Sequence, residues 1–394
     1  MIMITVRPFK LCTTLLLLGL FLGVQSFILA QQSSTFKTTT KDSLKTKKLK
    51  AIALDGIDGP YIINDKLYRV TATNQVVTSV IDKDSILVQV NNKDKDAFYV
   101  SLQSDYTYPE TNYTQPDNMV VISDIEGNFN AFSSFLIANN IIDNNYNWSY
   151  GNGQLVLVGD FVDRGKNVTQ VLWLIYKLDY QARQHNGQLH FILGNHEILN
   201  FYGNYKYNHG KYIKVAQEIS QIKNKKEAVK YLYSEASELG KWLASKNVIE
   251  KIGNYIFVHG GLSPELLDYQ LSLEDINKLS RLRYHDKKYP KDKTLNFLYG
   301  PKGPFWYRGL VVERSKYNKI TSQDLDAILN YYEATKIVIG HTPVTDVSTD
   351  FEGKIIRTDV LHDTVKFTNK TKGLLIENNQ EFVIDAIATK MVLQ

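Results

Sequence analysis

The sequence contains almost no cysteine: Cys12 is the single one among 394 residues. The chain after it therefore has no disulfide, no thiolate metal ligand and no cysteine nucleophile. Cys12 also precedes most of the apolar run in which it stands, so it is badly placed for a lipid-attachment cysteine, which would follow the run. A disulfide scaffold, a cysteine zinc site and a thiol enzyme are excluded.

An excess of charge of one sign is also missing once the N-terminus is set aside. Residues 1–50 carry eight Lys or Arg against one Asp, which leaves 38 basic and 40 acidic residues in 51–394. The net charge of +5 is thus a property of the N-terminus, and the larger part of the chain is close to neutral. A basic nucleic-acid footprint is therefore unsupported, and we expect no nucleic-acid partner. The hydrophobic content of 43% and the charged content of 22% are typical of a globular protein.

The N-terminus has the order of a secretory signal peptide, which we place at residues 1–30. Two basic residues precede a leucine-rich run, and small residues follow at Ser26 and Ala30. We therefore expect export to a periplasm or out of the cell. Because the apolar stretch extends to Ala30, an uncleaved anchor in the inner membrane is the alternative, and only then would a membrane be involved. Residues 31–50, rich in Gln, Ser, Thr and Lys, predict a basic flexible linker.

Residues 51–116 alternate short β-branched runs with Asn, Asp and Lys turns, which predicts a small antiparallel β module and a polar linker. The module carries no recognisable chemistry, and we expect it to pack against or cover a catalytic domain at residues 117–394. Residues 271–299 are polar and are predicted to be irregular. Hydrophobic periodicity predicts helices at 129–140, 168–184 and 322–334, strands at 188–193 and 336–339, and a hairpin at 248–258.

Metal-ligand residue types follow predicted strands five times in this catalytic domain. The clearest case is the apolar run Leu155–Val158, which ends at Gly159 and is followed by Asp160. Ligands collect at the carboxyl ends of strands in α/β folds. A loop held by an Asp–Arg pair would explain this one stretch equally well, but it does not explain the set. The other four strands are followed by Asp124, Asn195, His259 and His341.

As a set, these motifs resemble the calcineurin-like metallophosphoesterases, and most of all the phosphoprotein phosphatases and their bacterial, Shewanella-like relatives. The resemblance rests, in chain order, on G-D-x-x-D-R-G, G-N-H-E, H-G-G and G-H-T-P, and it covers roughly residues 117–394. It implies an α/β fold, the two-sheet α/β/β/α sandwich of that family, here preceded by the small β module. It also implies two divalent metal ions about 3.5–4 Å apart.

The resemblance assigns the metal ligands residue by residue. Asp160 bridges the two ions, Asp124 binds the first, and Asn195, His259 and His341 bind the second. Carboxylate, amide and imidazole ligands together favour Mn, with Fe and Zn as alternatives.

The resemblance also assigns the groups that handle the substrate. His196 is the general acid that protonates the leaving oxygen, and Asp163 orients its ring. Arg164 clamps the phosphate, because a guanidinium matches two phosphate oxygens at once. Arg308 lies in a segment similar to the one that carries a second clamping arginine in the bacterial relatives; a surface charge is the alternative. We expect Glu197 to be structural.

One position departs from the family's pattern. The first motif is normally D-x-H-G, but here it reads Asp124-Ile125-Glu126-Gly127, with a carboxylate in place of the imidazole. Glu126 is then either a harder ligand of the first metal, or the sign of a weakly held ion. We favour a working ligand, since every other catalytic position is filled.

These assignments predict an exported, binuclear metal-dependent phosphatase in which a metal-bridging hydroxide attacks a phosphomonoester and His196 acts as general acid. Phosphoproteins are candidate substrates. A phosphodiesterase or dinucleoside polyphosphate hydrolase is a second enzyme hypothesis, because it would use the same metal core. A non-catalytic binding protein with a damaged first metal site is the hypothesis of a different class.

Overall fold

The computed structural model describes residues 52–286 and 292–394, and these belong to one compact unit. The predicted signal peptide (1–30) and basic linker (31–50) lie outside the described residues. Within the described ranges, no helix combines the length and the apolar character that crossing a membrane requires.

The strands in chain order are β1 (Asp58–Ile63), β2 (Lys66–Val70), β3 (Val76–Ser79), β4 (Ile86–Gln89), β5 (Ala97–Val100), β6 (Asn112–Tyr113), β7 (Asn118–Ile122), β8 (Gln154–Val158), β9 (Gln188–Ile192), β10 (Ile249–Ile252), β11 (Tyr255–Val258), β12 (Lys336–Ile339), β13 (Ser348–Asp350), β14 (Ile355–Arg357), β15 (Lys372–Glu377), β16 (Gln380–Asp385) and β17 (Lys390–Val392). The α-helices are α1 (Phe129–Ala138), α2 (Val168–Gln184), α3 (Asn195–Phe201), α4 (Gly210–Ser220), α5 (Lys225–Leu232), α6 (Glu238–Ala244), α7 (Leu273–Arg281), α8 (Lys293–Leu298) and α9 (Ser322–Tyr331).

Two six-stranded sheets dominate the described part of the chain. Their strand orders are β17-β16-β15-β7-β8-β9 and β13-β14-β12-β11-β10-β6. The strands β7, β8 and β9 are parallel to one another, and so are β11, β12 and β14. Each sheet therefore presents the carboxyl ends of three parallel strands along one edge.

The two sheets pack face to face, and the alternation of side chains along β7 shows how. Met119 and Val121 lie in an apolar core with Phe257 of β11 and Val338 of β12. Val120 and its alternate neighbours point the other way, into the core that contains helices α1 and α2. Strands buried on both faces explain the continuous apolar runs of the sequence. The predicted α/β/β/α sandwich is confirmed.

The N-terminal residues form the predicted antiparallel β structure, as the sheets β1-β2-β3 and β4-β5. This module packs on the sandwich: the Trp173 indole of α2 donates a 2.8 Å hydrogen bond to the Pro60 carbonyl. Asp58 of β1 and Lys211 of α4 form a buried ion pair of 3.1 Å. Residues 112–113 of the predicted linker form β6, which pairs with β10 at the edge of the second sheet.

The predicted elements of the catalytic domain are present with ends shifted by up to three residues, and the hairpin β10–β11 turns at Gly253–Asn254. The prediction of an irregular segment at 271–299 is wrong for 271–286 and 292–299; residues 287–291 lie outside the described residues. Ser272 caps α7 by accepting a hydrogen bond from the Asp275 amide, and the Asp275 carboxylate accepts one in return from the Ser272 amide. Leu273 and Ile276 of α7 are buried. Helix α8 follows in the same segment.

Candidate active site

The carboxyl ends of the parallel strands of both sheets meet at one place. Asp124 follows β7 and Asp160 follows β8 in the first sheet, while His259 follows β11 and His341 follows β12 in the second. Hydrogen bonds join the two sheets here. The His259 ring, through Nδ1, contacts the Val158 carbonyl at 2.8 Å, and the His341 amide donates to the Asp124 carboxylate at 3.2 Å.

Asp160, His259 and His341 form a buried cluster with ligand atoms within 4.8 Å of one another. Asp160 Oδ2 lies 3.1 Å from His259 Nε2, and Asn195 Oδ1 lies 3.0 Å from the same nitrogen. Asn195 is the first residue of α3, which begins just after β9. The structure thus brings together the predicted bridging carboxylate and the three predicted ligands of the second metal.

The backbone at these positions is unusual. Asp124, Asp160 and His341 have positive φ angles of 52°, 59° and 64°, in a region that non-glycine residues seldom adopt. Such conformations cluster at functional sites, where the surrounding structure compensates for the strain. Gly159 has φ +80°, and a Cβ there would lie 2.6 Å from His259 Nδ1. Only glycine allows the imidazole this close to the end of β8.

For Asp160 and His259, burial and the neighbouring charges shift the pKa in opposite directions. Burial alone would raise the pKa of Asp160, but the neighbouring His259 and His196 outweigh it and lower that pKa. Burial would lower the pKa of His259, and Asp160 reverses this and raises it. The pKa of His341 is held well below its usual value by burial, with His259 and Arg308 adding to the effect.

His341 supplies a direct test of whether these residues fit a metal. Its side chain is 4% exposed, and its Nε2 atom is buried without a hydrogen-bond partner in residues 52–286 and 292–394. Neutral imidazole is the form that binds a metal ion, and one nitrogen of the His341 ring lies within 4.8 Å of the ligand atoms of Asp160 and His259. The donor set of the cluster therefore fits the divalent metals that the family implies.

The residues predicted to bind the first metal, Asp124 and Glu126, have different surroundings from the cluster of Asp160, His259 and His341. Asp124 is buried next to the cluster, and burial, Asp359 and Asp160 together hold its pKa well above the usual value. Glu126 is only partly buried, and its carboxylate forms an ion pair with the Arg164 guanidinium. Neither Asp124 nor Glu126 belongs to the three-residue cluster around Asp160. The role of Glu126 as a metal ligand stays a prediction, and it would require the carboxylate to leave Arg164.

His196 and Asp163 form the predicted pair. His196 Nδ1 lies 2.6 Å from Asp163 Oδ2, and its Nε2 lies 3.8 Å from Asp160 Oδ2. Burial would lower the pKa of His196, but Asp160 and Asp163 raise it to about 9. Asp163 is held in turn by the side-chain amides of Asn200 and Asn208. Sequence reasoning missed both asparagines, because a lone Asn carries no signal of its partner.

Glu197 is structural, as predicted. Its carboxylate accepts hydrogen bonds from the backbone amides of Asp160 at 3.0 Å, Phe161 at 2.9 Å and Gly194 at 2.8 Å. It fixes the loop after β8 against the start of α3, and so sets the distance between Asp160 and Asn195.

The two predicted phosphate clamps differ in exposure and in what they contact. The Arg164 side chain is 54% exposed, and its backbone amide donates to the Tyr207 carbonyl at 2.9 Å. Arg308 is partly buried, with Nη2 lying 3.5 Å from His341 Nδ1. Each arginine opens into its own cavity. One, of about 630 Å³, is lined by Asp124, Glu126, Arg164 and Asp359; the other, of about 830 Å³, by Arg308 and the rings of Tyr202, Tyr299, Trp306 and Tyr317.

Asp359 is a site residue that sequence reasoning missed. It is 8% exposed, and burial and Asp160 raise its pKa to about 6 against the lowering effect of His259. A signal was present: Ile355 and Ile356 of β14 are followed by Thr358 and Asp359, the same order of apolar strand and carboxylate that marks the other strands.

Comparison with known proteins agrees with this geometry. The model of the calcineurin-like phosphoesterase family matches residues 118–345, more than half of the chain. "Shewanella-like protein phosphatase 1" of Plasmodium berghei is 31% identical over 245 residues, which is 61% of this chain and 65% of that protein. "Shewanella-like protein phosphatase 2" of Arabidopsis thaliana is 25% identical over 43% of this chain and 52% of its own length. The chain thus spans less than two thirds of either relative.

A solved structure covers more of the fold. The crystal structure of a cold-active protein-tyrosine phosphatase from a psychrophilic Shewanella species has a TM-score of 0.74 and 32% sequence identity. The match covers 86% of this chain and 99% of that protein. With the family model, the relatives and the shared fold in agreement, the chain belongs to the calcineurin-like phosphoesterases and is similar within them to the Shewanella-like phosphatases.

Proposed function

We propose that this protein is a metal-dependent phosphatase that hydrolyses phosphomonoesters, with phosphoproteins as its substrate class. The observation that carries the proposal is the buried cluster of Asp160, His259 and His341 with the His196–Asp163 pair beside it. The cluster provides a place for metal ions, and the pair provides an acid whose Nε2 atom lies 3.8 Å from Oδ2 of the same Asp160 carboxylate.

The proposed ligands are Asp160, shared between two ions, Asp124 on the first, and Asn195, His259 and His341 on the second. When bound, divalent ions would supply a nucleophilic hydroxide and neutralise charge on the phosphoryl oxygens. Mn is our first choice, with Fe and Zn as alternatives, because carboxylate, amide and imidazole donors are mixed.

His196 is the proposed general acid. Asp163 Oδ2, at 2.6 Å from Nδ1, favours a proton on that nitrogen and leaves Nε2 directed at the centre, 3.8 Å from Asp160 Oδ2. The raised pKa of about 9 keeps the ring protonated at neutral pH, so that Nε2–H is available to the leaving oxygen. Bound cations would lower this pKa, but Asp163 would continue to hold the ring.

Arg164 and Arg308 are the proposed phosphate clamps, and the cavity at Arg308 suggests what the phosphate is attached to. Trp306 lies with its ring centroid 5.9 Å from that of His341, and Tyr202, Tyr299 and Tyr317 line the same space. Aromatic walls pack well on a flat aromatic leaving group. The similar Shewanella enzyme is described as a protein-tyrosine phosphatase. We therefore favour phosphotyrosine among phosphoprotein substrates.

The decisive experiment measures hydrolysis of p-nitrophenyl phosphate and of phosphotyrosine and phosphoserine peptides by purified protein. Hydrolysis should require Mn and stop on chelation, and metal analysis should find bound ions in the active sample. Absence of turnover with metal bound would favour the binding-protein hypothesis. Preference for a phosphodiester or a dinucleoside polyphosphate would favour the second enzyme hypothesis.

We propose export as the compartment of this activity. The support is the N-terminal order of basic residues, leucine-rich run and small residues. Protein recovered from its own host should begin near Phe27 or Gln31 and lie outside the cytoplasm. A soluble cytoplasmic protein that keeps Met1 would refute export, whereas an intact N-terminus in the membrane fraction would favour the anchor.

A further inference from the structure

We propose that Asp359 is a carboxylate ligand of the first metal, on the side of the site where Glu126 replaces the family's histidine. The inference rests on the proposed function, since it assumes that metals bind at this centre. It goes beyond the sequence motifs, none of which contains Asp359.

Hydrogen bonds hold the chain around Asp359 against the loop that contains Asp124. Thr358 Oγ1 lies 2.9 Å from Ser123 Oγ, and the His362 ring contacts the Ser123 carbonyl at 2.8 Å through Nε2. Residues on both sides of Asp359 in the chain thus contact Ser123, which precedes Asp124. The Asp359 carbonyl also accepts a 2.8 Å hydrogen bond from the amide of Val344, in the loop after His341. Asp359 is therefore held between the loops that carry Asp124 and His341.

Burial without a paired cation is the second observation. Asp124 and Asp359 are each 8% exposed, and neither has a salt bridge in residues 52–286 and 292–394. Asp124 and Asp359 line the same cavity, and the negative charge of Asp160 raises the pKa of both. Buried carboxylates are normally paired or bound to metal, because desolvation of an isolated charge is costly.

His341 gives independent evidence that the buried space takes a cation. Its Nε2 is buried without a partner among the described residues, and its ligand atom lies within 4.8 Å of those of Asp160 and His259. A neutral imidazole has one nitrogen lone pair, and beside the ligand atoms of Asp160 and His259 that lone pair can bind a metal ion. A metal ion satisfies both the nitrogen and the surplus of negative charge.

The Glu126 side chain is already paired with another residue. Its carboxylate forms an ion pair with Arg164, and the Glu126 and Arg164 side chains are 21% and 54% exposed. The carboxylate is thus directed toward the solvent-facing clamp, while Asp359 is the buried carboxylate left beside Asp124. Asp359 would thus take the place at the metal that the family's histidine holds, while Glu126 contacts the phosphate clamp.

The test compares Mn binding to metal-free protein, by titration calorimetry, in the wild type, Asp359→Asn, Glu126→Gln and Asp363→Asn. The Asp363 control makes the same chemical change four residues away, in a partly exposed side chain. Asp359→Asn should weaken one binding event by at least the roughly 10–100-fold that loss of an outer-shell partner costs. Water-proton relaxation should then detect one more exchangeable water on Mn. Glu126→Gln and Asp363→Asn should keep both events.

Thermal unfolding separates a ligand from a structural residue. Without metal, Asp359→Asn should be at least as stable as the wild type, since it relieves repulsion among three carboxylates. Added Mn should stabilise the wild type more than the variant. If metal-free Asp359→Asn unfolds earlier and still binds Mn as the wild type does, Asp359 is structural and the proposal is overturned.

The outcomes also separate this inference from the proposed function. Loss of one Mn in Asp359→Asn supports the ligand role even in a protein that hydrolyses no phosphoester. Loss of one Mn in Glu126→Gln instead assigns the ligand to Glu126 and overturns the role of Asp359. Absence of metal binding in the wild type overturns both proposals.

Discussion

The two halves of the candidate metal centre differ in chemistry and in setting. On one side, Asn195, His259 and His341 reproduce the family's ligands and lie together, almost fully buried. On the other side, Asp124 and Asp359 are buried carboxylates, and Glu126 faces the arginine clamp. Asp160 stands between them. The histidine half therefore keeps the family's ligand types, whereas the side chains of the other half are all carboxylates.

The two halves differ in how much space surrounds their side chains. The histidine half is constrained by close packing, because Gly159 approaches His259 without room for a Cβ and the His259 carbonyl accepts a hydrogen bond from the Gly340 amide. The carboxylate half borders an open cavity of about 630 Å³, where a longer side chain can turn toward solvent. Substitution is accommodated on the side with space.

The largest effect should come from Asp160→Asn, which acts on both halves at once. A single oxygen acceptor cannot bridge two cations as a carboxylate does, so bound metal should fall and turnover should drop by more than about 10⁴-fold, the upper range for a lost acid. Metal analysis and p-nitrophenyl phosphate turnover measure this. Asp363→Asn is the matched control. A variant that keeps both metals and most of its activity would refute the shared-ligand assignment.

His196→Ala should leave both halves intact and slow the chemical step by roughly 10²–10⁴-fold. The loss should shrink for esters with good leaving groups, which need no proton. In the wild type, activity on poor leaving groups should fall as the pH rises through the His196 pKa, raised to about 9. Bound cations would move this limb to lower pH.

The exposed His185→Ala is the control for that experiment. Equal losses on good and poor leaving groups would show that His196 is not the acid. Loss of metal from His196→Ala would show that it belongs to the metal centre itself.

The histidine half was predictable from the sequence, because each ligand follows an apolar strand directly. Strands such as β8 and β12 are buried on both faces, so that their runs are long enough to recognise, and parallel strands bring their carboxyl ends to one edge. The Asp359 position follows the same rule, but β14 has only three residues. A short run bounded by Lys354 and Arg357 gives too little periodicity to mark it as central.

Side-chain contacts between segments that are distant in the sequence could not be predicted. The ion pair between Glu126 and Arg164 joins two motifs, and no spacing rule fixes which side chain a long glutamate reaches. The helices at 271–299 were missed for another reason. In α7 the buried positions include the polar Asn277 and Ser280, so that its apolar stripe is narrow, and Asn277 is buried for its hydrogen bonds to the backbone of β10.

The two arginine clamps should contribute to substrate binding on both sides of this centre. Arg164→Ala and Arg308→Ala should each lower kcat/KM by about 10–100-fold, the range for a lost hydrogen bond to a charged group. Because Glu126 competes with phosphate for Arg164, Glu126→Gln should lower KM when Arg164 is present. The same substitution should have no such effect when it is combined with Arg164→Ala. Steady-state kinetics of the four-protein cycle measures this. An equal KM effect in both backgrounds would show that Glu126 does not act through Arg164.

The smallest effect should come from restoring the family's residue with Glu126→His. An imidazole beside Asp124 adds a nitrogen donor and removes a negative charge, which shifts metal preference toward Zn and away from Mn. The lost charge should also move the pH optimum toward neutral by about one pH unit, the usual spread of pKa values in folded proteins. Competition between Zn and Mn and a pH–rate profile measure the two shifts, with Glu126→Ala as the matched control. If Glu126→Ala alone weakens the first metal, Glu126 is already a ligand and the carboxylate half is the family's site with one donor exchanged. If Glu126→Ala leaves the affinity for the first metal unchanged and Glu126→His raises it, the new histidine binds the metal at a position that the Glu126 carboxylate does not occupy.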